Sequence, residues 1–212
     1  MLVAVPVICA GCVGAAAGTT AREAGQLNRL LLSAGEVGAI VGASPLRVAS
    51  SAEQMSDHSG AVADLGCLGT LYGAEEPVYS GSGWSAVRDE VLRDPGPGNQ
   101  HWIEQAVVLF GSAGAAEKFF ATSREQWAGC ATAPLITTGT GTRPSIWNLH
   151  RVSNAGDALI DQDSEQQNTN GWACQHAMGV AANLVSEVFA CGYSVTDEAS
   201  RILDRILRNA SG

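Results

Sequence analysis

The chain has 212 residues, 46% hydrophobic and 16% charged, enough for one sizeable core and near the upper end of what a single domain holds. Acidic residues outnumber basic ones 21 to 12, and the resulting net charge of -9 repels phosphate backbones, which argues against nucleic acid as a partner. The one lysine is Lys118, so no Lys-rich tail or basic stripe steers the protein onto an anionic surface.

The first residues, "MLVAVPVICAGCVGAAAGTT", carry no charge and are apolar or small almost throughout, the character of a targeting segment. An apolar run from Leu2 to Ile8 leads into Ala10 and Gly11 before Cys12, which resembles a bacterial lipoprotein box and implies acylation of Cys12. The segment lacks a Lys or Arg before the apolar run and has Cys9 where such boxes carry an aliphatic residue, so Met1 is expected to lie inside a longer leader. The end of a membrane-spanning helix and a simple cleaved signal are the other two readings. The expected division is a leader over 1–20 and one exported domain over 21–212.

Within that domain "AREAGQLNRLLL" places Leu27, Leu30 and Leu31 at helical spacing, and Ser33 with Glu36 forms a capping-box pattern for a second short helix closed by Gly42 and Pro45. Alternation predicts a strand from Leu46 to Ser51, followed by "SSAEQMSDHSG", a polar and exposed loop. Cys67 follows in a short apolar run. "GWSAVRDEVL" and "HWIEQAVVLF" flank "RDPGPGNQ" and predict a hairpin. Ser112 caps a helix that presents Ala116, Phe119, Phe120 and Trp127 on or near one face and runs to Cys130. Strands are expected at Leu135–Thr138, Ser145–Val152, Ala158–Gln166, Trp172–Val180 and Leu184–Cys191, with "GTGTRPS" as a hairpin turn between the first two. A last helix begins near Asp197 and Glu198 and buries Ala199, Ile202, Leu203 and Ile206. Helices at both ends and between strand runs, with hairpin-length connections, predict an α+β fold on antiparallel sheet, in a single domain without repeats.

Outside the cytoplasm paired thiols oxidise, and the four cysteines beyond the leader, Cys67, Cys130, Cys174 and Cys191, allow three pairings. If the last two strands fold back through a tight turn at Ala182 and Asn183, Cys174 falls opposite Cys191 and Cys67 is left with Cys130. No two of these four lie within five positions of each other, so a zinc site is not expected. Cys174 and His176 share a strand face, as a thiol and its base would, but oxidation of an exported thiol favours the disulfide. His58, His101 and His150 stand isolated and are expected in solvated or core-edge positions. Nucleophile-elbow, zincin and phosphate-loop motifs are absent, and no cofactor is expected.

The strings "AEEPVYSGSGWSAVRDEVLRDPG", "HWIEQAVVLFGSAGAAEKFF", "QWAGC", "NGWACQHA" and "VFACGYSVTDEA" resemble the extracellular sensor domain of mycobacterial receptor Ser/Thr kinases, the PknH-like domain, and especially its stand-alone lipoprotein members. The resemblance runs from about Leu30 to Ile206, with the four cysteines at the family's positions. It implies an α+β domain with a cleft, disulfides joining the first cysteine to the second and the third to the fourth, and no established enzymatic activity. The kinase motifs themselves are missing, so only the sensor half is resembled.

Three functions are then open. An envelope ligand-binding module would hold a small molecule, lipid or cell-wall fragment in its cleft, with Tyr79, Trp84, Trp102, Gln105, Trp147, Trp172 and His176 as candidate stacking faces and donors. The same tryptophans would serve equally as core. A protein-interaction module of the envelope would show an exposed apolar patch and no deep pocket. A hydrolase or transferase would have to draw on Glu75, Glu76 and His101. The expected partners are an envelope ligand or protein, and the membrane through the lipid anchor, at the outer face of the plasma membrane or beyond it.

Overall fold

The structure, a computed structural model, describes residues 25–43, 45–98, 100–138, 144–154 and 158–211. Cys12 with the rest of the leader, and most of the turn expected at "GTGTRPS", lie outside the described residues.

A helical turn at 25–27 buries Leu27. Ser33 then opens helix α1 (Ala34–Val41) through a complete capping box, its hydroxyl accepting from the Glu36 amide while the Glu36 carboxylate accepts from the Ser33 amide at 2.9 Å. Gly42 ends the helix at φ 73°, a left-handed conformation that glycine adopts without penalty. Strand β1 (Arg47–Ala52) follows, then two short 3-10 turns at Ser59–Ala61 and Leu65–Cys67, and the single-turn helices α2 (Leu68–Leu71) and α3 (Glu76–Tyr79). The hairpin of β2 (Trp84–Arg93) and β3 (His101–Phe110) leads into α4 (Ala113–Cys130), capped by the Ser112 hydroxyl. The second half runs β4 (Leu135–Thr137), β5 (Ser145–Leu149), β6 (Ser153–Asn154), β7 (Leu159–Gln166), β8 (Ala173–Ala181), β9 (Leu184–Gly192) and α5 (Glu198–Ser211).

These strands form one sheet in the order β1-β2-β3-β9-β8-β7-β5-β4, with β6 on the side of β7 and every named pair antiparallel. Helices cover both faces of its centre, which is why β9 is buried along its whole length and lacks polar alternation. On one face Ala199, Ile202, Leu203 and Ile206 of α5 pack with Leu92, Ile103, Val107 and Val188. Each of the three larger α5 side chains is fully buried, worth roughly 1.5–3 kcal/mol apiece. On the other face Ala116, Phe119, Phe120 and Trp127 of α4 pack with Val108, Phe110, Ile160, Met178 and Val185.

The α+β class, the β2–β3 hairpin, the capped helices and the amphipathic α5 stand as the pattern predicts. The two-residue turn at Ala182 and Asn183 sets Cys174 opposite Cys191, and both expected disulfides are formed, Cys67–Cys130 and Cys174–Cys191. Four local expectations are corrected. The helix expected through Leu32 is helical only at 25–27 among the described residues, because the chain turns at 28–30 to bring Leu27 and Leu32 onto the sheet. The polar stretch after Ser51 is exposed over most of its length as expected, but it is not loop throughout. Ser51 and Ala52 belong to β1, and Ser56 bridges to Glu75. The strand expected to reach Val152 stops at Leu149, and the edge of β7 is taken up instead by the separate β6. His58 and His101 are not isolated, since each binds a carboxylate described below.

Candidate functional site

Because directly opposed residues share a face of the sheet, the register arranges the α4 side in rows across the strands. One row, Val87, Val108, Val185 and Val180, is apolar and packs under α4. The next runs Asp89, Ala106, Glu187, Met178 and Ile160. Beyond it come Glu104, Phe189, His176 and Gln162, and then Trp102, Cys191, Cys174 and Ser164. The face therefore passes from aliphatic core, through a buried band of carboxylates with one imidazole, to a disulfide flanked by aromatic rings.

At the disulfide end the face opens into a cavity of about 270 Å³. Its floor is the Cys174–Cys191 bridge with Phe189, and its walls are Trp102, Trp147 and Trp172, which pack against that bridge. Leu71 and Tyr72, at the end of α2, form the opposite wall. Hydroxyls come from Thr137, Ser145 and Ser164, and Tyr72 shares a hydrogen bond with Thr137. Among the described residues, no lining side chain is an acid, a base of the Lys or Arg type, or a histidine. Burial holds the Tyr72 phenol above its ordinary value, so this side chain is uncharged at neutral pH.

Behind this wall lies the buried carboxylate band. Glu187, 2% exposed, accepts from the Tyr79 hydroxyl and from Nε2 of His176 at 3.0 Å. His176 sits between Phe189 and Trp127, with ring centroids 3.7 and 4.0 Å away. Burial pulls its pKa below the ordinary value against the opposing pull of Glu187, so the neutral imidazole is the resident form. Glu104 and Asp89 lie within hydrogen-bonding reach of each other. Burial, then Asp89 and Glu187, drive Glu104 well above the carboxylate range, and burial, then Glu187, lift Asp89 to about 6.

The segment 72–76 crosses over this band. Gly73 lies so close that a Cβ there would come 3.2 Å from the carboxyl carbon of Glu104. Ala74 is left-handed at φ 49°, strained for a residue with a side chain, and its amide points to Glu187 at 3.4 Å. Ser56 holds the segment from outside, donating to the Ala74 carbonyl at 3.1 Å and accepting from the Glu76 amide at 2.8 Å. Glu75, 1% exposed, accepts from the amide of His58 at 2.7 Å and lies 2.5 Å from its Nδ1. The half-exposed His58 ring stacks on Tyr72 with centroids 4.6 Å apart, which carries the chain of contacts to the cavity wall.

Of the candidate ligand-binding residues, the fold brings Trp102, Trp147 and Trp172 together around the cavity. It places the other four elsewhere. Tyr79 is buried in the α4-side core and bonded to Glu187, Trp84 packs at the edge of that core, His176 is enclosed as described, and Gln105 faces the opposite side of the sheet. There Gln105 ties down the N-terminal segment, accepting from the Leu32 amide at 3.0 Å and donating to its carbonyl at 2.7 Å. Glu75 and His101 do not form a joint acid-base site, since Glu75 binds His58 while His101 binds Asp94 at 3.0 Å. Sequence reasoning missed the cavity residues Tyr72 and Phe189 and the buried carboxylates other than Glu75, namely Asp89, Glu104 and Glu187. A buried Glu in "HWIEQAVVLF" and another in "LVSEVFACG", each amid apolar neighbours, were the signals available.

Fold and site together define a disulfide-stapled α+β domain with an aromatic cavity at one end of its sheet. The chain belongs to the PknH-like extracellular domain family, whose model matches residues 22–209. It is 34% identical to the serine/threonine-protein kinase PknH of Mycobacterium bovis and equally to that of Mycobacterium tuberculosis, over 182 residues, 86% of this chain. Those residues span only 30% and 29% of the respective kinases. The crystal structure of the extracellular domain of PknH from Mycobacterium tuberculosis superposes with a TM-score of 0.83 at 32% identity, covering 89% of this chain and 97% of that one. Membership of this family places the domain on the extracytoplasmic side of the cell envelope, where its disulfides persist.

Proposed function

We propose that this is a non-catalytic sensor-type domain that binds an uncharged small molecule, lipid portion or cell-wall fragment in the cavity walled by Trp102, Trp147 and Trp172. The observation that carries the reading is the clustering of three half-buried indoles and the Phe189 ring around a cavity with hydroxyls but no charged side chain among its described lining residues. Indole faces stack on sugar rings and other flat apolar faces, while a few hydroxyls fix orientation. A cavity of about 270 Å³ lies just below the range of about 300–1,000 Å³ typical of drug-sized ligands, so it suits one ring or a chain end. An anionic ligand is disfavoured by the net charge of -9 and by the lack of a cation among the described lining residues. Acylation at Cys12 would tether the domain to the outer face of the plasma membrane.

The test is native mass spectrometry of the leaderless, oxidised domain after incubation with an envelope extract of its host, beside a Trp147→Ala, Trp172→Ala variant. The expected result is an adduct of defined mass on the wild type that is lost on denaturation and absent from the variant. A bare mass for both would sink the ligand-binding reading and favour a protein-interaction module of the envelope.

A further inference from the structure

The floor of the cavity is a bond that can itself react. Cys174 and Cys191 line the cavity beside Trp102, Trp147, Trp172 and Phe189, so a molecule small enough to enter meets a disulfide at the bottom. The two bridges of the domain are shielded to the same degree, the four cysteines being 5% or 6% exposed, and they differ in what surrounds them. Cys67 and Cys130 pack with Leu149 against Leu71, Ala131 and Leu135, and Cys67 Sγ lies 3.7 Å from the Asp64 carboxylate. That carboxylate repels an incoming thiolate and disfavours the thiolate that would leave. Around Cys174–Cys191 no charged side chain stands among the described lining residues, and a cavity of about 270 Å³ has room for water beside a reagent. Ser164, directly opposite Cys174 on the same face, adds a hydroxyl to the lining. Exchange depends on access and on the stability of the departing thiolate, so the surroundings favour it at one bridge and oppose it at the other.

We infer that the cavity is a covalent capture site for a small uncharged thiol, which the Cys174–Cys191 bridge takes up by thiol–disulfide exchange. The thiol loses its proton to solvent, and its sulfur attacks one sulfur of the bridge. The bond between the two cysteines breaks as a bond from the attacked sulfur to the incoming one forms. The bonding pair leaves on the other cysteine, which takes up a proton. One disulfide is exchanged for another, so no reductant other than the thiol is needed. The body of the thiol then lies among the indoles, whose faces accept a flat or ring-shaped apolar group. Meanwhile β8 and β9 stay paired from Ala173 opposite Gly192 to Ala181 opposite Leu184, and Cys67–Cys130 stays closed. This register keeps the freed cysteine facing its partner, so it can attack the mixed disulfide, expel the thiol and restore the bridge. Capture is therefore reversible, and contacts with the cavity wall decide how long it lasts. The inference rests on the cavity reading for its site and adds a chemical class of ligand, while the exchange step needs only the cavity and its floor.

The experiment exposes the folded, oxidised chain to benzyl mercaptan at about pH 8.5, where an ordinary thiol is half ionised. Timed samples are quenched in acid, free thiols are capped with a maleimide, and mixed disulfides are located by mass mapping of peptic peptides. Adducts at Cys174 or Cys191 should appear at least about tenfold faster than at Cys67 or Cys130, and in urea the two bridges should react within about threefold of each other. Equal rates in the folded chain, or faster opening of Cys67–Cys130, overturn the inference. A preference that survives in urea overturns it too, because it would then lie in the neighbouring sequence and not in the cavity. The para-carboxylate of the same thiol should react at least about threefold more slowly, since the net charge of -9 repels it, and an equal rate overturns the uncharged class. A captured thiol survives denaturation and leaves only with excess reductant, unlike the adduct sought in the envelope extract. A bare mass from that extract, with the exchange preference intact, removes the noncovalent reading and leaves capture standing. A noncovalent adduct with no preference between the bridges does the reverse.

Discussion

Glu187 on β9 and His176 on β8 meet at 3.0 Å in the interior, with the Tyr79 hydroxyl donating to the same carboxylate. One carboxylate thereby satisfies donors from a strand and a helix that are far apart in sequence. Glu187→Ala leaves both donors buried without that acceptor and should cost about 3 kcal/mol, part of it returned by relief of repulsion with Asp89 and Glu104. Glu187→Gln keeps an acceptor and should cost about 1 kcal/mol or less. Urea unfolding of the two variants checks the difference, and equal losses would show that charge, not hydrogen bonding, matters at this position.

Stability should depend on pH with opposite slopes from two groups. Burial and Glu187 raise Asp89 to about 6, and Glu104 lies well above its ordinary value. An acid whose pKa rises on folding holds more protons in the native state. Its stabilisation is complete below the unfolded value of 3.8 and falls as pH rises through about 6 for Asp89. His176, lowered by burial, acts the other way, and stability is lost as pH drops below its ordinary 6.5. Urea midpoints measured across this range should therefore show Asp89→Asn more stable than the wild type at neutral pH, with the gap closing towards acid. A constant gap would mean that Asp89 does not titrate on folding.

The two disulfides should differ in weight. The Cys174–Cys191 pair closes a separation of 17 residues and Cys67–Cys130 one of 63. In the chain-entropy account these are worth about 3 and about 4 kcal/mol. Paired Cys→Ala variants compared by denaturant unfolding should rank in that order. Loss of Cys174–Cys191 should in addition perturb near-ultraviolet tryptophan signals, because that bridge is the cavity floor.

Gly38→Ala should damage the N-terminal helix disproportionately. A Cβ there would sit 2.4 Å from the Ala43 carbonyl oxygen, which is backbone and accepts no rotamer change. A loss of about 1–3 kcal/mol is expected from the overpacking, against a few tenths gained at an open helical glycine. Gly35→Ala on the same helix has open space and serves as the control in thermal unfolding.

The legibility of this protein in its sequence follows the range of the interactions. Ser33 with Glu36, Gly42, the Ser112 cap and the apolar stripe of α5 act within one or two helical turns, so their patterns sufficed. The Cys174–Cys191 pairing was legible because a two-residue turn sets the register of the strands on either side. The tryptophans at 102, 147 and 172 could be named as stacking candidates but not separated from Trp84 or from core, since what distinguishes them is proximity across β3, β5 and the approach to β8.

Sequence by itself determined the α+β class, the order of elements and the disulfide framework, because propensity, alternation and short-range turns decide these locally. Tertiary structure alone decided that Asp89, Glu104 and Glu187 share one buried face with His176, and that Glu75 and His58 close over them towards Tyr72. Burial and charge proximity are properties of sheet order and register. Pairing β3 with β9 is what turns ordinary glutamates, separated by more than eighty positions, into a coupled group behind a cavity.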